Sequence, residues 1–86
     1  MDFLIHGAAS LKDKRRVIKS LKDQARSRFN CSIAETEYQD LWQRARLVAC
    51  VVSGDSRHAN TQLNEIANFA RGKHGAELVD YRIEML

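Results

Sequence analysis

The side chains best suited to chemistry in this chain are cations. Eight of its fourteen Lys and Arg residues lie between Lys12 and Arg28, in the segment S-L-K-D-K-R-R-V-I-K-S-L-K-D-Q-A-R-S-R-F-N. Only Asp13 and Asp23 oppose them there, so the stretch carries +6, while the remaining six basic and nine acidic residues carry −3. A positive field concentrated on one element points to an anionic partner. The chemistry on offer is phosphate contact, in which Lys and Arg neutralise backbone charge with little readout of sequence. If the segment is helical, a rotation of about 100° per residue lines up Lys12, Arg15, Lys19, Lys22 and Arg26 on one stripe, with Arg16 and Arg28 beside it. Lys12, Arg15, Arg16, Lys19, Lys22 and Arg26 are therefore the candidate nucleic-acid-binding residues. The competing reading is a solvated helix face, but such faces normally mix signs.

A second candidate is Q-D-L-W-Q-R, residues Gln39–Arg44, with Asp40, Trp42, Gln43 and Arg44 as partner-binding residues. A lone Trp in a polar connection can stack on a base or anchor a protein partner. Alternatively, Trp42 and Leu41 tuck under the loop and cap the core, while Asp40 and Arg44 hold the turn. The two candidates need not form one surface. Catalysis has no comparable signal. No Ser or Cys nucleophile has a placed base, no carboxylates are paired, and no Gly-rich phosphate loop occurs. His6, His58 and His74 are scattered, and Cys31 and Cys50 lie far apart in apolar runs that suit two reduced core thiols. Neither a catalytic residue, a metal nor a cofactor is expected.

The elements that would position these residues follow from periodicity. Met1–Ile5 reads as a short strand. Ser10 suits a helix N-cap, and Leu11, Ile18, Leu21, Ala25 and Phe29 stack on one face of a helix over about Leu11–Phe29. Cys31–Tyr38 reads as a strand with Cys31 and Ile33 on one side and Ser32 and Ala34 on the other. Arg44–Ser53 contains L-V-A-C-V-V, the unbroken apolar run of a central strand covered on both faces. Ser53–Ser56 is turn and cap chemistry. A second helix then runs to about Arg71 and buries Ala59, Leu63, Ile66, Ala67 and Ala70. Residues from about Ala76 to Met85 alternate as a last strand. The order βαββαβ implies an α+β, ferredoxin-like sandwich, with two helices on one face of a four-stranded antiparallel sheet. One domain over residues 1–86 is expected, without a linker, a repeat, a secretory signal or an apolar run of membrane-spanning length.

The blocks S-L-K-D-K-R-R, R-F-N-C-S-I-A-E, Q-D-L-W-Q-R-A and A-E-L-V-D-Y-R-I-E occur in order along nearly the whole chain, and together they resemble the bacterial YlxP-like family, a domain of unknown function. The resemblance implies the same ferredoxin-like fold. It also implies a gene setting beside translation initiation and ribosome-binding factors, and hence a ribosome- or RNA-associated role. His6 stands where the family commonly has Pro, and Ala9 where it often has His. Family members usually start earlier, so the first strand here is expected to be cut short, with either an upstream start or a partner chain covering the gap. Acylphosphatases share the expected fold, but His6–Ser10 has no counterpart of their Arg-bearing phosphate loop. RRM domains share it too, but L-V-A-C-V-V lacks their stacking aromatics, which directs any RNA contact to the helical side. The expectation is a small cytoplasmic binding protein that associates with ribosomal RNA or a ribosomal subunit through a basic helix. The alternative is a protein-interaction or homodimerisation module with no nucleic-acid role.

Overall fold

The computed structural model describes residues 1–72 and 75–86. His74, the third of the scattered histidines, lies outside the described residues. The elements are β1 (Asp2–Leu4), α1 (Leu11–Arg28), β2 (Ser32–Glu37), β3 (Arg44–Cys50), α2 (Ser56–Ala70) and β4 (Glu77–Asp80). The strands form one four-stranded sheet in the order β2-β3-β1-β4, and β1·β3, β1·β4 and β2·β3 pair antiparallel. The α+β ferredoxin-like arrangement expected from the element order is the one observed.

Local chemistry sets the ends of the helices. Ser10 Oγ accepts from the Asp13 N–H at 3.1 Å, and Asp13 Oδ2 accepts from the Ala9 N–H at 3.2 Å, which satisfies two donors at the mouth of α1. Phe29 follows the last helical residue as C-cap, its N–H donating to the Ala25 carbonyl. Asp55 caps α2 by accepting from the Arg57 N–H at 2.9 Å. Both helices bury one stripe: Ile18, Leu21 and Ala25 from α1, and Ala59, Ile66, Ala67 and Ala70 from α2. Phe3, Ile33, Ala45 and Leu47 from the strands, with Ile5 just after β1, complete the core.

Three strand expectations need correction. L-V-A-C-V-V is covered on one face only: Leu47 is buried, while Val48 is 44% exposed and Cys50 faces solvent. Both helices lie on one side of the sheet, so even a central strand keeps an open face, and its outward positions tolerate apolar residues that nothing covers. For the same reason Cys50 is not a core thiol, and Cys31 is only partly buried; both are free. The last strand is four residues, not about ten, because β1 supplies a ladder partner only from Asp2 to Leu4. Tyr81–Leu86 continues beyond Asp80 with no strand to bond to.

The polar tie between α1 and the sheet is Lys14, which is 1% exposed and lies among the residues α1 buries. Its Nζ lies 2.8 Å from Glu35 Oε2 on β2 and donates to the Tyr38 carbonyl at the start of the β2–β3 turn. The Glu35 Oε2 atom is buried and accepts no well-angled hydrogen bond, so it is held by charge. Removing one member of such a buried pair strands the other. Glu35→Ala is therefore expected to cost about 3–5 kcal/mol, whereas Lys14→Met combined with Glu35→Leu recovers most of that loss. Urea denaturation of the single and double variants measures both; equal stability of wild type and Glu35→Ala would refute the role given to the pair.

Candidate nucleic-acid interface

The basic residues of α1 divide into four groups once the helix is packed. Lys14 is consumed by the core contact just described. Lys19 and Arg26 converge on Asp23: Lys19 Nζ lies 2.5 Å from Oδ2, and Arg26 Nη1 3.5 Å from Oδ1. The hydrogen bond from Lys19 holds the Asp23 carboxyl below its ordinary range. Arg26 also donates through Nη2 to the Ile33 carbonyl on β2 at 2.8 Å. Lys12, Arg15, Arg16 and Lys22 make no ion pair among the described residues. Lys12, Arg15 and Arg16 are exposed and Lys22 is half-buried. These four are the charges of the stripe that remain free for an outside anion.

The stripe faces a definite direction. Arg26 reaches β2, the edge strand of the sheet, so the basic side of α1 is its β2 flank. The opposite flank meets α2: the Arg28 guanidinium lies 5.4 Å from the Phe69 ring centroid, and Phe29 packs edge-on against Phe69 at 5.7 Å. Arg28 thus belongs to the helix–helix seam and not to the stripe.

The β2–β3 connection begins with Tyr38, whose φ of 64° places a non-glycine residue in the left-handed region. Its carbonyl accepts from the Leu41 N–H at 3.0 Å and from Lys14 Nζ, which fixes that conformation. The turn then projects Leu41 and Trp42, which are 46% and 50% exposed. They do not cap the core. Asp40, Leu41, Trp42, Gln43 and Arg44 instead line a hollow at the tip. Arg44 turns back over the Tyr38 ring, 4.3 Å from its centroid, and Arg46 approaches the same ring at 5.4 Å.

Arg46 also grips Asp2 through two hydrogen bonds, of 2.7 and 3.2 Å, on the face of the sheet away from the helices. Sequence reasoning missed Tyr38, Arg46 and Lys14. Lys14 was detectable, because it precedes Ile18, Leu21 and Ala25 by four, seven and eleven residues and so shares their face. The Tyr38–Arg44–Arg46 cluster was not, because it depends on strand register.

No catalytic constellation emerges among the described residues. Among the described residues no group of three or more His, Cys, Asp or Glu could hold a metal. His6 Nε2 lies 3.1 Å from Glu77 Oε2 at an exposed site. Burial pushes the Cys31 thiol up, against the smaller opposing pull of Arg26, the wrong direction for a reactive thiolate. Among the described residues no helix is long and apolar enough to cross a membrane. The fold and its surface therefore define a small α+β sandwich with a basic helix flank and an aromatic, basic turn. The chain belongs to the family described as protein of unknown function DUF503, whose model matches residues 1–83. It is 36% identical over 66 residues to the uncharacterized protein YlxP of Bacillus subtilis (strain 168), covering 77% of this chain and 72% of that one. The family's description names no activity.

The Asp2–Arg46 pair has a pH signature. The hydrogen bond from Arg46 is the main cause that holds the Asp2 carboxyl below its ordinary value. A group whose folded pKa is depressed contributes its stability in full above the unfolded pKa and loses it as pH falls through the lower, folded one. Asp2→Asn should therefore lower the urea midpoint slightly at neutral pH, with the gap to wild type closing in strong acid. A gap independent of pH would show that the carboxylate charge is not the source.

Proposed function

We propose that this protein is a small, non-catalytic cytoplasmic binding protein that associates with ribosomal RNA or a ribosomal subunit through the β2 flank of α1. The observation that carries this reading is the set of unpaired cations Lys12, Arg15, Arg16 and Lys22 on one side of one helix. Lys19 and Arg26 share that flank, with their charge partly answered by Asp23. Phosphate oxygens suit such a surface, because Lys and Arg contacts to the backbone need charge and reach more than exact geometry. The resemblance to a family encoded beside translation factors supports the ribosome as the source of that phosphate.

The triple variant Lys12→Glu, Arg15→Glu, Arg16→Glu changes only exposed side chains, so it should fold and lose co-sedimentation with ribosomal subunits. Full co-sedimentation of that folded variant would overturn the proposal. With four phosphates neutralised, the logarithm of the binding constant should fall against the logarithm of salt concentration with a slope of about −3 to −4.

A second reading, protein interaction through the sheet, is favoured by a separate observation. Residues Leu47–Cys50 of β3 and Tyr81–Glu84 flank a slot of about 590 Å³, floored by Leu63, Ile66 and Ala67 of α2. Pairing of β1 with β3 reaches as far as Met1 and Leu47, where the Met1 ammonium donates to the Leu47 carbonyl and the Leu47 N–H donates to the Met1 carbonyl, both at 2.9 Å. Beyond that contact no strand among the described residues lies between the two walls, which suits the addition of an extended segment. Sedimentation equilibrium separates this reading from the first. A self-association that persists unchanged in high salt supports strand pairing, and a monomer at every concentration removes homodimerisation.

A further inference from the structure

The β2–β3 turn and the N-terminal part of the basic flank of α1 lie at the same end of the molecule. The chain leaves β1 at that end, α1 runs back along the sheet, and β2 returns to the turn. Two contacts join the pieces: Lys14 Nζ donates to the Tyr38 carbonyl, and the Ile5 N–H donates to the Gln43 carbonyl at 2.9 Å. The stripe is on the flank of α1 nearest β2, so its N-terminal members, Lys12, Arg15 and Arg16, lead toward the turn. At the tip stands Trp42, half-exposed and with no ring or hydrogen-bond partner among the described residues.

These features have complementary chemistry. A phosphate chain is attracted by the free cations. In the hollow that Trp42 shares, Asp40 and Arg44 carry opposite charges, and Arg44 is turned over the Tyr38 ring, so the hollow has no net charge and suits an uncharged, flat group. A base is such a group, but a base within a duplex has its faces covered by its neighbours. Stacking on a side chain requires an unpaired nucleotide.

We infer that the turn and the α1 flank are one binding surface for single-stranded RNA, in which Trp42 stacks on an unpaired base while Lys12, Arg15 and Arg16 hold adjoining phosphates. This rests on the anionic-partner reading above and adds to it a base-dependent contact. Because every base has a π-face, the contact selects for single-strandedness and not for sequence.

Trp42 is the chain's one tryptophan, so its fluorescence reports the contact directly. Titration with a short oligouridylate should quench that emission, whereas heparin, a polyanion without bases, should bind without quenching. In fluorescence polarisation with labelled oligouridylate, Trp42→Ala should weaken binding about 5- to 150-fold, with heparin affinity unchanged and Trp42→Phe retaining most of the wild-type value. Unquenched emission at saturation would overturn the inference, as would equal losses toward oligouridylate and heparin in Trp42→Ala. If Lys12→Glu, Arg15→Glu, Arg16→Glu abolishes binding to both polyanions while Trp42→Ala affects neither, the basic-flank reading stands and the stacking inference falls. If the wild-type protein binds no polyanion at all, both fall together.

Discussion

The arrangement of this protein turns on a buried ammonium. Lys14 lies on the face of α1 that packs against the sheet, where an unpaired charge would be costly. It is tolerated because Glu35 answers its charge and the Tyr38 carbonyl accepts its proton. Those two partners lie at the C-terminal end of β2 and just beyond it. One side chain thus fixes the first turns of α1 over the edge strand and secures a left-handed residue at the start of the β2–β3 turn. An apolar residue at position 14 could fill the same volume, but it would leave the Tyr38 carbonyl to the Leu41 N–H alone. The ammonium therefore acts as a register pin as well as a charge.

Around that pin the remaining charge of α1 is sorted by function. Asp23 sits among the basic residues of the C-terminal half and takes up part of the field of Lys19 and Arg26. Arg26 serves a structural purpose as well, bonding a carbonyl of the edge strand. Arg28 lies over aromatic rings at the seam with α2. What remains free is concentrated toward the N-terminal half, the end that Lys14 ties to the turn. A stripe that looks uniform along the helix is thus graded once packed. This matters because charges already paired to protein have less to gain from an outside phosphate.

The two ends of the sheet differ in the same physical terms. At the turn end, β1, β3 and the connection close on one another, and the Ile5 N–H finds the Gln43 carbonyl. At the other end, β3 and the segment after β4 stand apart across an apolar floor on α2. The closed end displays cations and an aromatic side chain, while the open end displays a slot with an apolar floor. The partners proposed for them differ accordingly, a polyanion at the closed end and an extended chain at the open one.

Element order, helix limits to within a residue or two, and the buried stripes of α1 and α2, apart from a half-buried Leu63, could be read from periodicity, because the 3.6-residue and 2-residue repeats are local properties of the chain. The concentration of charge between Lys12 and Arg28 was equally plain, since composition needs no structure. Which of those charges are free was not. That depends on whether Asp23, Ile33 or Glu35 comes within reach, and only packing decides it. The exposure of Val48 and Cys50 escaped for a related reason: an apolar run does not reveal whether a second layer exists to cover it. Trp42 was visible as a lone aromatic residue in a polar connection, yet its outward position follows from the conformation of Tyr38, which a buried lysine on a distant helix helps to set. Local patterns belong to neighbours in sequence, whereas pairing, exposure and the meeting of α1 with the turn belong to neighbours in space.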